Sequence, residues 1–151
     1  MEITRGKIPC AKKVVIYGPE GIGKSTFASQ FPEPVFIDTE GSTNSMDVAR
    51  LPKPTSWQML LDEIQYIKSH PDVCKTLVID TIDWAESMCI QCICDKHQKS
   101  GMEDFGYGNG YVYTKEEMGR LEAMYLVWLW NLSFLAWRIS RRSRPDITAK
   151  D

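Results

Sequence analysis

Val14-Val15-Ile16-Tyr17 runs straight into Gly18-Pro19-Glu20-Gly21-Ile22-Gly23-Lys24-Ser25-Thr26. The four apolar, strand-forming residues read as a strand buried on both faces. A short helix follows through Phe27, Ala28 and Gln30, and Pro32 and Pro34 stop it. Gly18–Ser25 fits G-x-x-x-x-G-K-[ST] at every required position, in the strand–loop–helix setting that the pattern demands. An ordinary Gly-rich turn is the competing reading, and a chance match in this setting is rare. The glycines let the backbone curl so that successive N–H groups face a phosphate, with the positive end of the next helix behind them. Lys24 is predicted to reach the β- and γ-phosphates of a nucleotide, and the Ser25 hydroxyl to ligate magnesium.

Working outward, Val35-Phe36-Ile37 is a second strand, and it ends in Asp38-Thr39-Glu40-Gly41. In open parallel sheets the carboxyl ends of the strands line the ligand crevice, so these acids are placed where nucleotide chemistry would occur. Pro52-Lys53-Pro54 reads as a loop. Thr55 with Gln58 reads as a capping box opening a helix whose apolar face carries Trp57, Leu60, Leu61, Ile64 and Ile67, and His70-Pro71 ends it. Thr76-Leu77-Val78-Ile79-Asp80 is a third buried strand ending in an acid. That is the Walker B arrangement, in which the carboxylate holds the magnesium shell through water or through Ser25. Asp83 is either a second acid or a helix N-cap.

The helix expected from about Asp83 to Gln98 carries Cys89, Cys92, Cys94 and His97. A metal centre needs three or four converging ligands and more often takes its cysteines from turns, so a packed helical face is the favoured reading. Phe105-Gly106-Tyr107-Gly108-Asn109-Gly110-Tyr111-Val112-Tyr113 reads as a flexible aromatic loop. Its tyrosines, Tyr107, Tyr111 and Tyr113, either stack on the bases of a single strand or sit half-buried in a turn. Thr114 with Glu117 then reads as a capping box opening a last helix through Met118, Leu121 and Met124.

The 151 residues bound the whole to one domain with a real core, and 43% hydrophobic and 25% charged residues exclude a disordered or fibrous chain. A net charge of −2 gives no global attraction to nucleic acid or acidic membranes, leaving such contacts to local patches. Five cysteines, three of them between Cys89 and Cys94, do not form a disulfide framework, and no basic segment followed by an apolar one opens the chain. The expectation is a soluble, cytoplasmic protein.

After Leu121 the character changes. Leu126–Trp137 holds three of the five tryptophans, and Arg138, Arg141, Arg142 and Arg144 follow. A membrane span needs about 20 apolar residues, and Asn131 and Ser133 interrupt this shorter run, so a core helix or strand is expected in its place. No clear further strand with a polar residue at its end is legible there.

Gly18–Thr26, Phe36–Gly41, Leu77–Asp83 and Phe105–Tyr113 together resemble the RecA-like branch of P-loop ATPases, and more closely the phage-encoded AAA-type proteins of the single-strand annealing and recombination group. The resemblance covers residues 1–121. It implies an α/β fold, a three-layer P-loop NTPase with a mainly parallel sheet, binding ATP and Mg2+. It also implies Glu40 as the hydrolytic base beside Lys24, Ser25 and Asp80 as the magnesium residues, and single-stranded DNA and a homo-oligomer as partners in the cytoplasm of a bacterial host. Residues 122–151 depart from it as a Trp/Arg-rich tail, which is what a shortened or frame-shifted member would show and which leaves binding more secure than hydrolysis. Two alternatives stay open: a small-molecule or nucleotide kinase with Arg138–Arg144 as a lid, and a non-hydrolysing single-strand DNA binder or assembly subunit.

Overall fold

The computed structural model describes residues 13–126 and 133–137, with Ile3, Arg5 and Gly6. Five strands, β1 (Lys13–Ile16), β2 (Pro34–Asp38), β3 (Ala49–Arg50), β4 (Thr76–Asp80) and β5 (Ser133–Trp137), form one parallel sheet in the order β1-β5-β4-β2-β3. Between them run α1 (Lys24–Ala28), α2 (Trp57–Ser69), α3 (Ile82–Lys96) and α4 (Asn109–Leu126). The three-layer α/β architecture expected from the sequence is the one observed.

Connectivity decides which helix covers which face. The step from β1 to β2 crosses the sheet in one direction, while those from β3 to β4 and from β4 to β5 run in the other. Right-handed crossovers therefore put α1 on one face and α2, α3 and α4 on the opposite one. Packing agrees. Val35, Ile37, Leu77 and Ile79 are buried with Trp57, Leu60, Ile64 and Ile67 of α2, Ala85, Cys89 and Ile93 of α3, and Leu121 of α4. Phe36 and Val78, the alternate residues of the same strands, are buried with Ala28, and Val14, Ile16 and Phe31 pack partly buried against them. Two faces, each with its own apolar set, are why β2 and β4 are continuously hydrophobic.

The structure corrects the reading at several places. Among the described residues β1 is covered on one face only: Val14 and Ile16 pack inward while Val15 and Tyr17 are exposed, because there β1 lies at the edge of the sheet and α1 covers a single side of it. The cap of α2 is Ser56 rather than Thr55, its hydroxyl accepting from the Met59 N–H at 3.2 Å. Thr81 rather than Asp83 stands at the N-cap of α3. The expected aromatic loop is instead two 3-10 turns, Met102–Asp104 and Gly106–Gly108, followed by α4, which begins at Asn109 and carries Tyr111 and Tyr113 within it. Beyond Leu121, α4 continues to Leu126 and the apolar run supplies β5, in keeping with the core helix or strand expected there. Arg138–Arg144 lie outside the described residues. Among the described residues no helix is long and apolar enough to cross a membrane.

Candidate nucleotide site

Every strand of a parallel sheet ends on the same side, so the ends of β1, β2 and β4 form one rim. β2 and β4 are in register there, Asp38 opposite Asp80. The loop leaving β1 turns through Gly21 and Gly23 at φ 77° and 89°, a left-handed conformation that would strain residues with a Cβ. Gly23 caps α1, with its carbonyl accepting from the Phe27 N–H at 2.9 Å. α1 spans only Lys24–Ala28, so the loop amides rather than a long helix dipole supply most of the positive potential facing an anion.

The Lys24 ammonium lies across its own loop, donating to the carbonyls of Gly18 at 3.1 Å and Pro19 at 2.7 Å. The adjacent Ser25 donates its hydroxyl to Oδ2 of Asp80 at 2.5 Å. Fifty-five residues separate these two in sequence, and the bond ties the phosphate loop to the end of β4. Asp80 is 3% exposed, and the same oxygen also accepts from the Ser42 hydroxyl at 3.1 Å. Thr39 joins the two strand ends from below: its N–H donates to the Asp80 carbonyl, its hydroxyl donates to the Thr81 carbonyl, and that hydroxyl accepts from the Thr81 N–H, each at 2.8 Å. The Asp80–Thr81 peptide is cis.

Asp38 does a different job from Asp80. Its Oδ1 accepts from the N–H groups of Glu40, Gly41 and Ser42, and its Oδ2 from the N–H and hydroxyl of Thr43. Burial pushes the Asp38 carboxyl up, but the hydroxyl of Thr43 and the N–H groups of Thr43, Gly41 and Ser42 outweigh it and hold the group below 3.8. The carboxylate is thus committed to folding the turn after β2. Glu40 stands on that turn, exposed to solvent. Its carbonyl accepts from the Lys53 ammonium at 2.9 Å.

The structure therefore brings Ser25, Asp80 and the Lys24 loop together, with Glu40 on the same rim. Ser42, Thr39 and Lys53 were not picked out from the sequence. Ser42 and Thr39 could have been suspected from their places beside Glu40 in the run after β2, whereas nothing local distinguishes Lys53. The donor set suits a hard cation: a serine hydroxyl and a nearly buried carboxylate offer oxygen only. Among the described residues no three of His, Cys, Asp or Glu gather as a metal-holding group, so phosphate and water would have to complete such a shell.

The other candidates are dispersed. Cys89 and Cys94 face the core while Cys92 is exposed. Burial, and then the charges of Glu117, Cys92 and Glu86, push the Cys89 thiol up to about 12, so it stays protonated. His97 stacks on Tyr113 with ring centroids 5.0 Å apart and planes 9° from parallel, and Phe105 meets both rings edge-on. Tyr113 is thereby engaged within the fold, while Tyr107 and Tyr111 are exposed.

A comparison with curated proteins gives no match. A comparison with protein families matches the model of an AAA domain over residues 11–141, which takes in the phosphate loop, the acids at the ends of β2 and β4, and β5. The match spans most of the chain, P-loop and strand-end aspartate included, and the chain belongs to the AAA domain family of nucleotide-binding proteins.

Proposed function

We propose that the protein binds Mg-ATP in the Gly18–Thr26 loop and hydrolyses it. The observation that carries this reading is the Ser25–Asp80 hydrogen bond, which brings to the loop a hydroxyl and a carboxylate of the kind that magnesium takes. Glu40, on the adjoining rim, takes the role that the RecA-like resemblance gives it, orienting the attacking water. Phosphoryl transfer to water needs positioning and charge neutralisation more than covalent help, so one carboxylate on a fixed turn is sufficient for that step. Lys24 and the loop amides would bind the β- and γ-phosphates and neutralise charge that develops on them. Ser25 and Asp80 would hold the magnesium ion, which when bound supplies further neutralisation at the phosphate oxygens.

Calorimetric titration with Mg-ATP and a phosphate-release assay test the assignment. Lys24→Ala is expected to lose nucleotide binding, and Glu40→Gln to bind as the wild type does while turnover falls about 100-fold or more. Turnover retained in Glu40→Gln would remove that residue from its role.

The further resemblance to recombination and annealing proteins of phage assigns this turnover to DNA transactions. Support comes from the Phe36–Gly41 and Phe105–Tyr113 segments and from the exposed rings of Tyr107 and Tyr111, which offer stacking faces to unpaired bases. Stimulation of phosphate release by single-stranded DNA, lost in Tyr107→Ala/Tyr111→Ala, is the expected result. A rate indifferent to DNA would separate ATP hydrolysis from that role.

A further inference from the structure

We propose that Lys53 is a positioning residue that holds Glu40 in place for turnover, an inference resting on the reading of Glu40 given above. Glu40 is exposed, and among the described residues no hydrogen bond to its carboxylate is present, so its backbone must aim it. Its N–H donates to Asp38 Oδ1 at 3.2 Å and its carbonyl accepts from Lys53 Nζ at 2.9 Å. The first contact comes from β2 itself. The second comes from a segment 13 residues further along.

The Glu40 carbonyl is the more vulnerable of the two groups. It belongs to the peptide preceding Gly41, which sits at φ 95°, and a glycine there permits the peptide to reorient at little steric cost. An ammonium bonded to the carbonyl opposes that motion. The lysine is itself well mounted. It stands between Pro52 and Pro54, whose rings fix the backbone; Pro54 is fully buried, and the Leu51 N–H donates to the Phe36 carbonyl at 2.9 Å. A Cβ built on Gly41 would lie 3.5 Å from Lys53 Nζ, so the ammonium rests against the hinge of the turn. An exposed lysine is ordinarily a solvated charge with no fixed partner. This one spans from a proline-clamped segment to the carbonyl of the residue whose direction matters.

The test compares wild type, Lys53→Met, Lys53→Arg and Glu40→Gln by Mg-ATP affinity, by turnover and by amide hydrogen exchange over residues 40–43. In Lys53→Met, exchange at Gly41 and Ser42 is expected to quicken and kcat to fall about 10- to 100-fold, with an unchanged dissociation constant for Mg-ATP. Lys53→Arg, which keeps a donor on a long stem, is expected to restore a substantial part of both. Unchanged exchange in Lys53→Met overturns the proposal whatever the turnover does. A loss of affinity matching the loss of turnover also overturns it, because the ammonium would then be touching the nucleotide. If Glu40→Gln hydrolyses ATP like the wild type, the reading of Glu40 fails, and the exchange data still decide whether Lys53 holds the turn.

Discussion

Two aspartates end neighbouring strands in matching register, and their surroundings give them opposite tasks. Asp80 receives two serine hydroxyls from other elements, so it remains available to a site assembled from distant parts. Asp38 receives five bonds from the four residues Glu40 to Thr43 just after it, so it is committed to local structure. Replacing Asp38 with Asn keeps the size but turns an amide group toward N–H donors. A loss of about 2–4 kcal/mol at pH 7 is expected, read from urea unfolding midpoints. The sign of its pH dependence follows from the lowered folded-state value. The carboxylate contributes fully above the ordinary value of 3.8, and that contribution is lost as pH falls below it through the folded-state value. The gap between wild type and Asp38→Asn should therefore close in acid. The role of Asp38 was not legible beforehand, because an acid at a strand end looks the same whether it faces a ligand or its own chain. That Ser25 and Asp80 meet beside the Lys24 loop was legible, because the loop pattern and an acid ending an apolar strand fix both residue types and their places on a parallel sheet.

Among the helices, α2 carries an anomaly on its packed side. Glu63 is 8% exposed amid Trp57, Leu60, Ile64 and Ile67 of the same helix, and neither carboxylate oxygen has a hydrogen-bond partner among the described residues. Burial alone pushes its carboxyl from 4.5 up to about 7. Here the folded state favours the proton, so stability declines as pH rises from 4.5 to about 7 and then levels off. That interval corresponds to about 3 kcal/mol. Glu63→Met should raise the Tm at pH 8 by more than at pH 4.5, as differential scanning calorimetry at the two pH values would show; equal gains would mean the carboxyl does not titrate in this range. Sequence periodicity identified this apolar face correctly but not its buried acid, which depends on what packs opposite. The early start of α4 was hidden for a related reason. Three glycines between Gly106 and Gly110 signal a turn by propensity, yet a Cβ on Gly110 would come within 3.0 Å of the Phe105 ring and 3.1 Å of the Met102 carbonyl. Close packing requires glycine inside this helix, against its intrinsic cost.

At the scale of the whole molecule, the order of strands makes the candidate nucleotide site depend on the last of them. Among the described residues β1 pairs with β5 alone, Val14 opposite Leu135 and Ile16 opposite Trp137, and β5 in turn pairs with β4. The phosphate loop hangs from β1, and Asp80 ends β4, so β5 is the strand that sets the distance between Ser25 and its carboxylate partner. A core ending at Leu121 would contain every motif of the site without the strand that spaces them. The expected β1, β2 and β4 were legible as continuous apolar runs, whereas Leu126–Trp137 mixes helix and strand formers without a period, and β3 at two residues is defined only by its pairing with β2. Ending the chain after Leu126 should therefore abolish nucleotide binding although no site residue is removed. For the intact chain, Mg-ATP at about 100 times its dissociation constant should stabilise the native state by about 2.7 kcal/mol, seen as a rise in Tm. The shortened chain is expected to show no such shift, together with a broader, less cooperative melt. A nucleotide-dependent shift of full size in the shortened chain would mean that β1 docks on β4 without β5, and that the spacing of the site is set by the phosphate loop itself.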